Sequence, residues 1–316
     1  LNISKIVTWN AQSDKIEILN DCQILLENDK IIKISPKIEA NYDKLIDAEN
    51  CLLTPGFIDT HTHPIFVNNR ANEFIMRSKG ESYDNIAKRG GGILSSINKF
   101  RKSKASGIYS NSLSHLEQFI KLGTTTVEVK SGYGLTVEDE LKSLRVIKRL
   151  NEKSQLDIIP TFMGAHAIPP EFKDNPSGYV DLICEEMIPA VAEEKLAEYC
   201  DVFCEEGYFS VDDSRKILEA GIKYNLKPRL HADEFVDSNA AELAADIGAI
   251  SADHLMAVSD RGINKMSEKG VMATLLPGTT LFLGKGNYAD GRKMIDLGCE
   301  VALATDFNPG SSTIQS

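Results

Sequence analysis

Gly56-Phe57-Ile58-Asp59-Thr60-His61-Thr62-His63-Pro64 is the stretch on which the fold turns. It opens as a short apolar run and closes on two histidines at alternate positions. Alternate side chains of a strand share a face, so His61 and His63 point the same way from the strand's carboxyl end. Two imidazoles at that spacing can hold one metal ion. The competing reading is a pair of unrelated surface histidines. A chain with only 6 histidines in 316 residues rarely places two of them so by accident.

Downstream, strand-like runs alternate with amphipathic stretches. Strands are expected at Gly56–His63, Thr124–Val129, Asp157–Phe162, Asp201–Glu205, Pro228–His231, Ala249–Asp253, Val271–Leu275 and Glu300–Thr305. Val137–Asn151 carries Leu141, Leu144, Ile147 and Leu150 at helical spacing. Pro189–Tyr199, Ser214–Tyr224, Asp237–Gly248 and Ser259–Lys269 read likewise. The fold class is therefore α/β, a (β/α)8 TIM barrel. A doubly wound sheet is the alternative, but no G-x-G-x-x-G follows an early strand. Gly90-Gly91-Gly92 lacks a P-loop lysine and reads as a mobile loop.

Residues 1–54 differ in texture. Cys22–Glu27 and Lys30–Ile34 are short β-branched runs around the turn signal Glu27-Asn28-Asp29-Lys30, a hairpin pattern. The expectation is a small β-sandwich-like subdomain over 1–54 and the barrel over 55–316. The chain stops at Ser316, soon after the eighth strand. The barrel is thus expected to be truncated at its C-terminus and to lack its last helix.

Bulk properties narrow the function. The net charge is −11 and the pI near 5.1, which argues against nucleic acid as a partner. An anionic substrate would need a local cation. The cysteines Cys22, Cys51, Cys184, Cys200, Cys204 and Cys299 form no C-x-x-C pair and read as reduced. No apolar run is long enough for a membrane helix, and the start lacks a signal-peptide pattern. The expectation is a cytoplasmic protein with no membrane partner.

Other polar residues fall where barrel active sites are built. His231 and Glu234 lie in Leu230-His231-Ala232-Asp233-Glu234, His254 ends the sixth strand, and Asp306 follows the eighth. Each alone is weak: a single strand-end histidine is more often structural, and Asp306 alone could cap a turn. Their joint pattern is far more specific.

With these residues the chain resembles the amidohydrolase superfamily, from Pro55 to His63 through His231 and His254 to Asp306. More narrowly it resembles the imidazolonepropionase family, which opens the imidazolone ring in histidine breakdown. Arg70, Tyr83–Gly92, Glu128–Gly134, Phe162–His166, His231–Glu234 and Asp306–Gly310 carry that likeness. The resemblance implies one divalent metal, zinc or iron, held by His61, His63, His231 and Asp306, with Glu234, His254 and Asp306 as catalytic groups. Its fourth strand offers no lysine to bridge a second ion, and Lys130 is no substitute by position. The implied substrate is 4-imidazolone-5-propanoate and the product N-formimidoyl-L-glutamate. A metal would activate water, and Glu234 would carry its proton to the leaving nitrogen. His254 would hydrogen-bond the water or the carbonyl. Arg70 would bind the propanoate through paired hydrogen bonds, with Tyr83 and Tyr133 beside it. His166 would donate to the ring carbonyl, and Asn308, Gly310 and Ser311 would contact ring or product. On residues alone, Arg70 is equally a solvated arginine and Tyr83 a packing residue. Two rival functions are a mononuclear cytosine- or guanine-type deaminase, which needs no carboxylate-binding group, and a non-catalytic barrel scaffold. A homodimer is expected from symmetry base rates.

Overall fold

The structure is a computed structural model and describes residues 1–81, 85–86, 89–284 and 286–316. The chain forms two compact units, Leu1–Phe57 and Ile58–Ser316.

In the first unit, β1 (Lys5–Asn10) pairs antiparallel with β2 (Lys15–Asn20) and parallel with β5 (Leu52–Leu53). β3 (Gln23–Glu27) and β4 (Lys30–Ser35) form the expected hairpin. Asn28 and Asp29 both take left-handed φ, 49° and 62°. A two-residue turn with both φ positive matches the twist of the flanking strands, and Asn and Asp tolerate that conformation best after glycine.

The second unit is the barrel. Its strands are β6 (Phe57–Asp59), β7 (Thr124–Lys130), β8 (Asp157–Ala165), β9 (Tyr199–Cys204), β10 (Lys227–Ala232), β11 (Ser251–His254), β12 (Met272–Leu275) and β13 (Val301–Leu303). They neighbour one another in chain order, and the pairs from β7 to β13 are parallel. Backbone bonds past the strand ends close the ring: Asp306 N–H donates to His61 O (3.0 Å), His63 N–H to Phe307 O (2.8 Å) and Lys130 N–H to Thr62 O (3.1 Å). The histidine stretch is thus tied to its neighbours on both sides.

Helices cover the barrel by burying one apolar stripe each. Val137–Asn151 starts where the Thr136 hydroxyl accepts the Asp139 N–H (3.1 Å), with Glu138, Asp139 and Glu140 in its first turn and Lys148 and Arg149 in its last. Both signs suit the helix dipole. Its Leu141, Leu144, Ile147 and Leu150 are buried, each stabilising the fold by about 1.5–3 kcal/mol. Leu144→Ala would leave a cavity and cost about 2–5 kcal/mol.

Two differences from the sequence reading have physical causes. A helix was expected at Pro189–Tyr199, but helical structure runs from Pro176 to Glu193 and Tyr199 opens β9. Pro189 sits just after a π-helical turn at Ile183–Met187, whose widened hydrogen bonding accommodates a residue without an N–H. The glycine run is a tight turn leading into the helix Ile93–Lys102: Gly92 has φ +67° and donates its N–H to Glu73 Oε1 (3.0 Å), and a Cβ on Gly91 would lie 2.7 Å from Ile86 Cγ2.

Leu303 of β13 and Ile58 of β6 are 67% and 62% exposed, and no helix follows β13 among the described residues. No helix among them is long and apolar enough to cross a membrane. The six cysteines are free thiols.

Candidate active site

The carboxyl ends of the barrel strands open into a cavity of about 900 Å³. His61 and His63 follow β6, and His231 lies in β10. Their Nε2 atoms converge, with His63 Nε2 3.2 Å from His61 Nε2 and 3.3 Å from His231 Nε2. Asp306 Oδ1 lies 3.5 Å from both His61 Nε2 and His63 Nε2. All four side chains are buried.

The opposite ring nitrogens set the tautomers. His61 Nδ1 meets Asp253 Oδ2 at 2.7 Å, and His231 Nδ1 meets Asp201 Oδ1 at 3.0 Å. Carboxylates accept, so both imidazoles carry their proton on Nδ1 and aim a lone pair at the centre. His63 Nε2 has at most one proton to share between them. Burial lowers the pKa of all three histidines well below the usual value, so imidazolium protons do not fill the gap. Burial also pushes the Asp306 carboxyl up to about 7, although the Thr279 hydroxyl donates to it. A cation among these atoms would accept the lone pairs and keep Asp306 as the carboxylate. The donor set fits a divalent metal ion.

Beneath it is a layer of buried charge that sequence reasoning missed. Asp253 also accepts from Arg229 Nη2 (3.0 Å), and Arg229 Nη2 donates to Thr60 O (2.7 Å). Asp201 also accepts from Lys130 Nζ (2.7 Å), which donates as well to Glu128 Oε1 (2.9 Å). Burial alone would lower the Lys130 pKa, but Asp201 and Glu128 hold it above the ordinary lysine value. Carboxylates that orient metal-ligating imidazoles are a common supporting device. A signal was available: Asp201 interrupts an apolar strand, and a buried carboxylate needs a partner.

Above the histidines, Glu234 Oε2 is 3.6 Å from His254 Nε2. Burial lowers the His254 pKa to about 4, so it is neutral near pH 7. His254 (φ +79°) and Asp306 (φ +50°) both take left-handed backbone. Such strain at non-glycine residues gathers at functional sites. Here it sits where the chain leaves β11 and β13.

His166 stacks on His63 with ring centroids 5.0 Å apart, and Tyr133 lies 5.4 Å from His166. The contacts of His166 bear on its expected donation to a ring carbonyl, which would need the ring proton on Nε2. Its Nδ1 lies 3.0 Å from Gly132 O, and a carbonyl can only accept. Burial lowers its pKa to about 4, and in a neutral ring with its proton on Nδ1 the Nε2 atom carries a lone pair.

Arg70 lines the same cavity. Its Nε and Nη1 are buried and have no hydrogen-bond partner among the described residues; the nearest carboxylate contact, Nε to Glu73 Oε2, is 3.8 Å. Asn308 and Ser311 also face the cavity. The Asn308 amide is spent within its own turn: Oδ1 accepts from Gly310 N (2.8 Å) and Ser311 N (2.7 Å), and Nδ2 donates to Asp306 O (2.7 Å) and Ser311 Oγ (2.9 Å). Tyr83 lies outside the described residues.

Similar solved structures share this barrel. Guanine deaminase from C. acetobutylicum with bound guanine aligns with TM-score 0.73 at 18% identity, over 98% of this chain and 74% of that one. 5-Methylcytosine deaminase from Klebsiella pneumoniae liganded with 5-fluorocytosine aligns with TM-score 0.66 at 14% identity, over 96% and 76%. At such identities they testify to the fold alone. The class that fold and site define is architectural: a (β/α)8 barrel with three histidines gathered at its mouth where a metal ion could be held.

No family model matches the chain, but curated relatives are close. Imidazolonepropionase of Brevibacillus brevis (strain 47) is 49% identical over 310 residues, 96% of this chain and 73% of that protein. Those of Alkaliphilus oremlandii and Thermoanaerobacter pseudethanolicus are both 46% identical over 324 residues, covering 98% and 100% of this chain and 77% and 78% of theirs. The chain belongs to the imidazolonepropionase family.

Proposed function

We infer that this chain opens the cyclic amide of 4-imidazolone-5-propanoate with water, giving N-formimidoyl-L-glutamate. Family membership supports the reaction. One observation supports the substrate class: a buried guanidinium, Arg70, in the same cavity as the histidine cluster, whose Nε and Nη1 have no hydrogen-bond partner among the described residues beyond a 3.8 Å approach to Glu73. In a chain of net charge −11, such a group suits a carboxylate.

His61, His63, His231 and Asp306 would hold the metal, which supplies a Lewis acid for the ring carbonyl and for water. Imidazole donors suit zinc and iron alike, and β9 has no lysine to bridge a second ion. Glu234 takes one proton from the attacking water as its oxygen adds to the carbonyl carbon. It returns that proton to the ring nitrogen as the C–N bond breaks. The carbon becomes the new carboxyl and the nitrogen ends in the formimidoyl group. His254, neutral and beside Glu234, hydrogen-bonds the water or the carbonyl. His166 accepts from a ring N–H. Arg70 pairs with the propanoate, with Tyr133 near it, and Tyr83 is assigned there on sequence grounds alone. Asn308 shapes the turn that presents Gly310 and Ser311.

The test is an ultraviolet assay of substrate consumption with metal-replete and chelated protein, repeated with an analogue lacking the carboxylate. Consumption should stop on chelation, and kcat/KM for the analogue should fall by about 10–100-fold, the scale of a lost charged hydrogen-bond pair. Equal turnover of the analogue would remove the carboxylate from recognition, and faster turnover of cytosine or guanine would move the reading to a deaminase.

A further inference from the structure

Glu205 follows β9 and is 2% exposed. Its carboxylate gathers five donors, four of them from the loop after β10. Oε2 accepts from Glu234 N (2.7 Å) and Phe235 N (2.9 Å). Oε1 accepts from Ser238 Oγ (2.9 Å), Glu206 N (3.2 Å) and Val236 N (3.3 Å). A carboxylate offers about four lone-pair sites, so this one is saturated. The loop is held at its other side by Asp233, whose oxygens accept from Ser238 N (2.9 Å), Ala240 N (3.1 Å) and Ala241 N (3.1 Å).

Phe235 and Val236 are 40% and 41% exposed, so the loop is only partly covered, and the carboxylates of Glu205 and Asp233 bind its backbone directly. The position of Glu234 depends on its backbone, and Glu205 grips that backbone at the Glu234 amide itself. Misplacing a catalytic group by about 1 Å can cost roughly 10²-fold in rate.

We propose that Glu205 is a positioning residue for the reaction: a carboxylate on one barrel strand that fixes the next strand's loop, and through it the reach of Glu234 toward the scissile bond. This rests on the reading of Glu234 as proton carrier. A glutamine at 205 keeps the shape but replaces one acceptor oxygen by an NH₂, which then faces loop N–H groups it cannot accept from.

The experiment is a double-mutant cycle of Glu205→Gln and Glu234→Gln, with metal content, kcat, KM and amide hydrogen exchange measured on each protein. E205Q should keep its metal and a KM within about twofold, lose about 10–100-fold in kcat, and exchange the amides of residues 234 and 235 at least about tenfold faster. In the E234Q background the same change should cost no further kcat, because its effect passes through Glu234. An E205Q protein with parental kcat would overturn the proposal, as would a loss of equal size in both backgrounds. If E234Q alone has parental turnover, the proton-carrier reading fails, and that result is distinct from either. Should E205Q not fold, Glu205→Asp, one methylene shorter, is judged by the same criteria.

Discussion

The guanidinium of Arg70 crosses Gly310 in the space that a Cβ would occupy. The arginine's backbone N–H also donates to Pro309 O (2.8 Å), so the two segments meet at the cavity's edge. Any side chain at 310 must push the guanidinium aside. Gly310→Ala should therefore raise KM for the propanoate substrate by about 10–100-fold, the cost of a misaligned charged pair, with metal content and fold retained. An unchanged KM would separate Arg70 from the carboxylate.

Glu234 is the group proposed to move the proton. Glu234→Gln should leave metal bound and reduce kcat by roughly 10²-fold or more. Near-normal turnover with full metal content would remove it from that role.

The Asp253 carboxylate joins His61 to Arg229. Asp253→Asn weakens the anchor without opening a cavity, and supporting residues of this kind typically cost about 10–100-fold in metal affinity when changed. Competition against a chromophoric chelator measures this. Parental affinity would mean that His61 needs no such anchor.

His166 and His254 are held neutral chiefly by burial, each with a pKa lowered to about 4. A group whose folded pKa is depressed contributes stability above its unfolded pKa of about 6.5 and loses it as pH falls through the folded value. NMR titration of the metal-free protein should show both rings unprotonated at pH 6. Titration of either near 6.5 would contradict the burial argument and the acceptor role of His166.

Much of this arrangement is legible in the chain because it repeats over short distances. Alternation carries His61 and His63 to one face, helical spacing marks Val137–Asn151 at the bounds the structure shows, and strand-then-helix texture marks the barrel. What joins residues far apart in sequence is not legible in that way. Asp253 meets His61 across 192 positions, and Lys130 meets Asp201 across 71. Lys130 was weighed only as a metal ligand and set aside; its place is under the site, as a buried counter-charge. The tautomer of His166 follows from Gly132 O, which no spacing rule brings to it. The helices Ile93–Lys102 and Ala105–Lys121 stand outside the sequence reading, although Ile93, Ile97 and Phe100 in the first and Ile108, Leu116 and Phe119 in the second fall at helical spacing.

One cation at the meeting point of His61, His63, His231 and Asp306 is the claim on which the chemistry depends. The most direct test is to strip the protein of metal, add back zinc or iron in fractions of an equivalent, and follow imidazolone propanoate consumption. Activity should be absent at the start, rise in proportion to added metal, and level off at one equivalent per chain. Full activity in the stripped protein, or a plateau reached only at two equivalents, would contradict it.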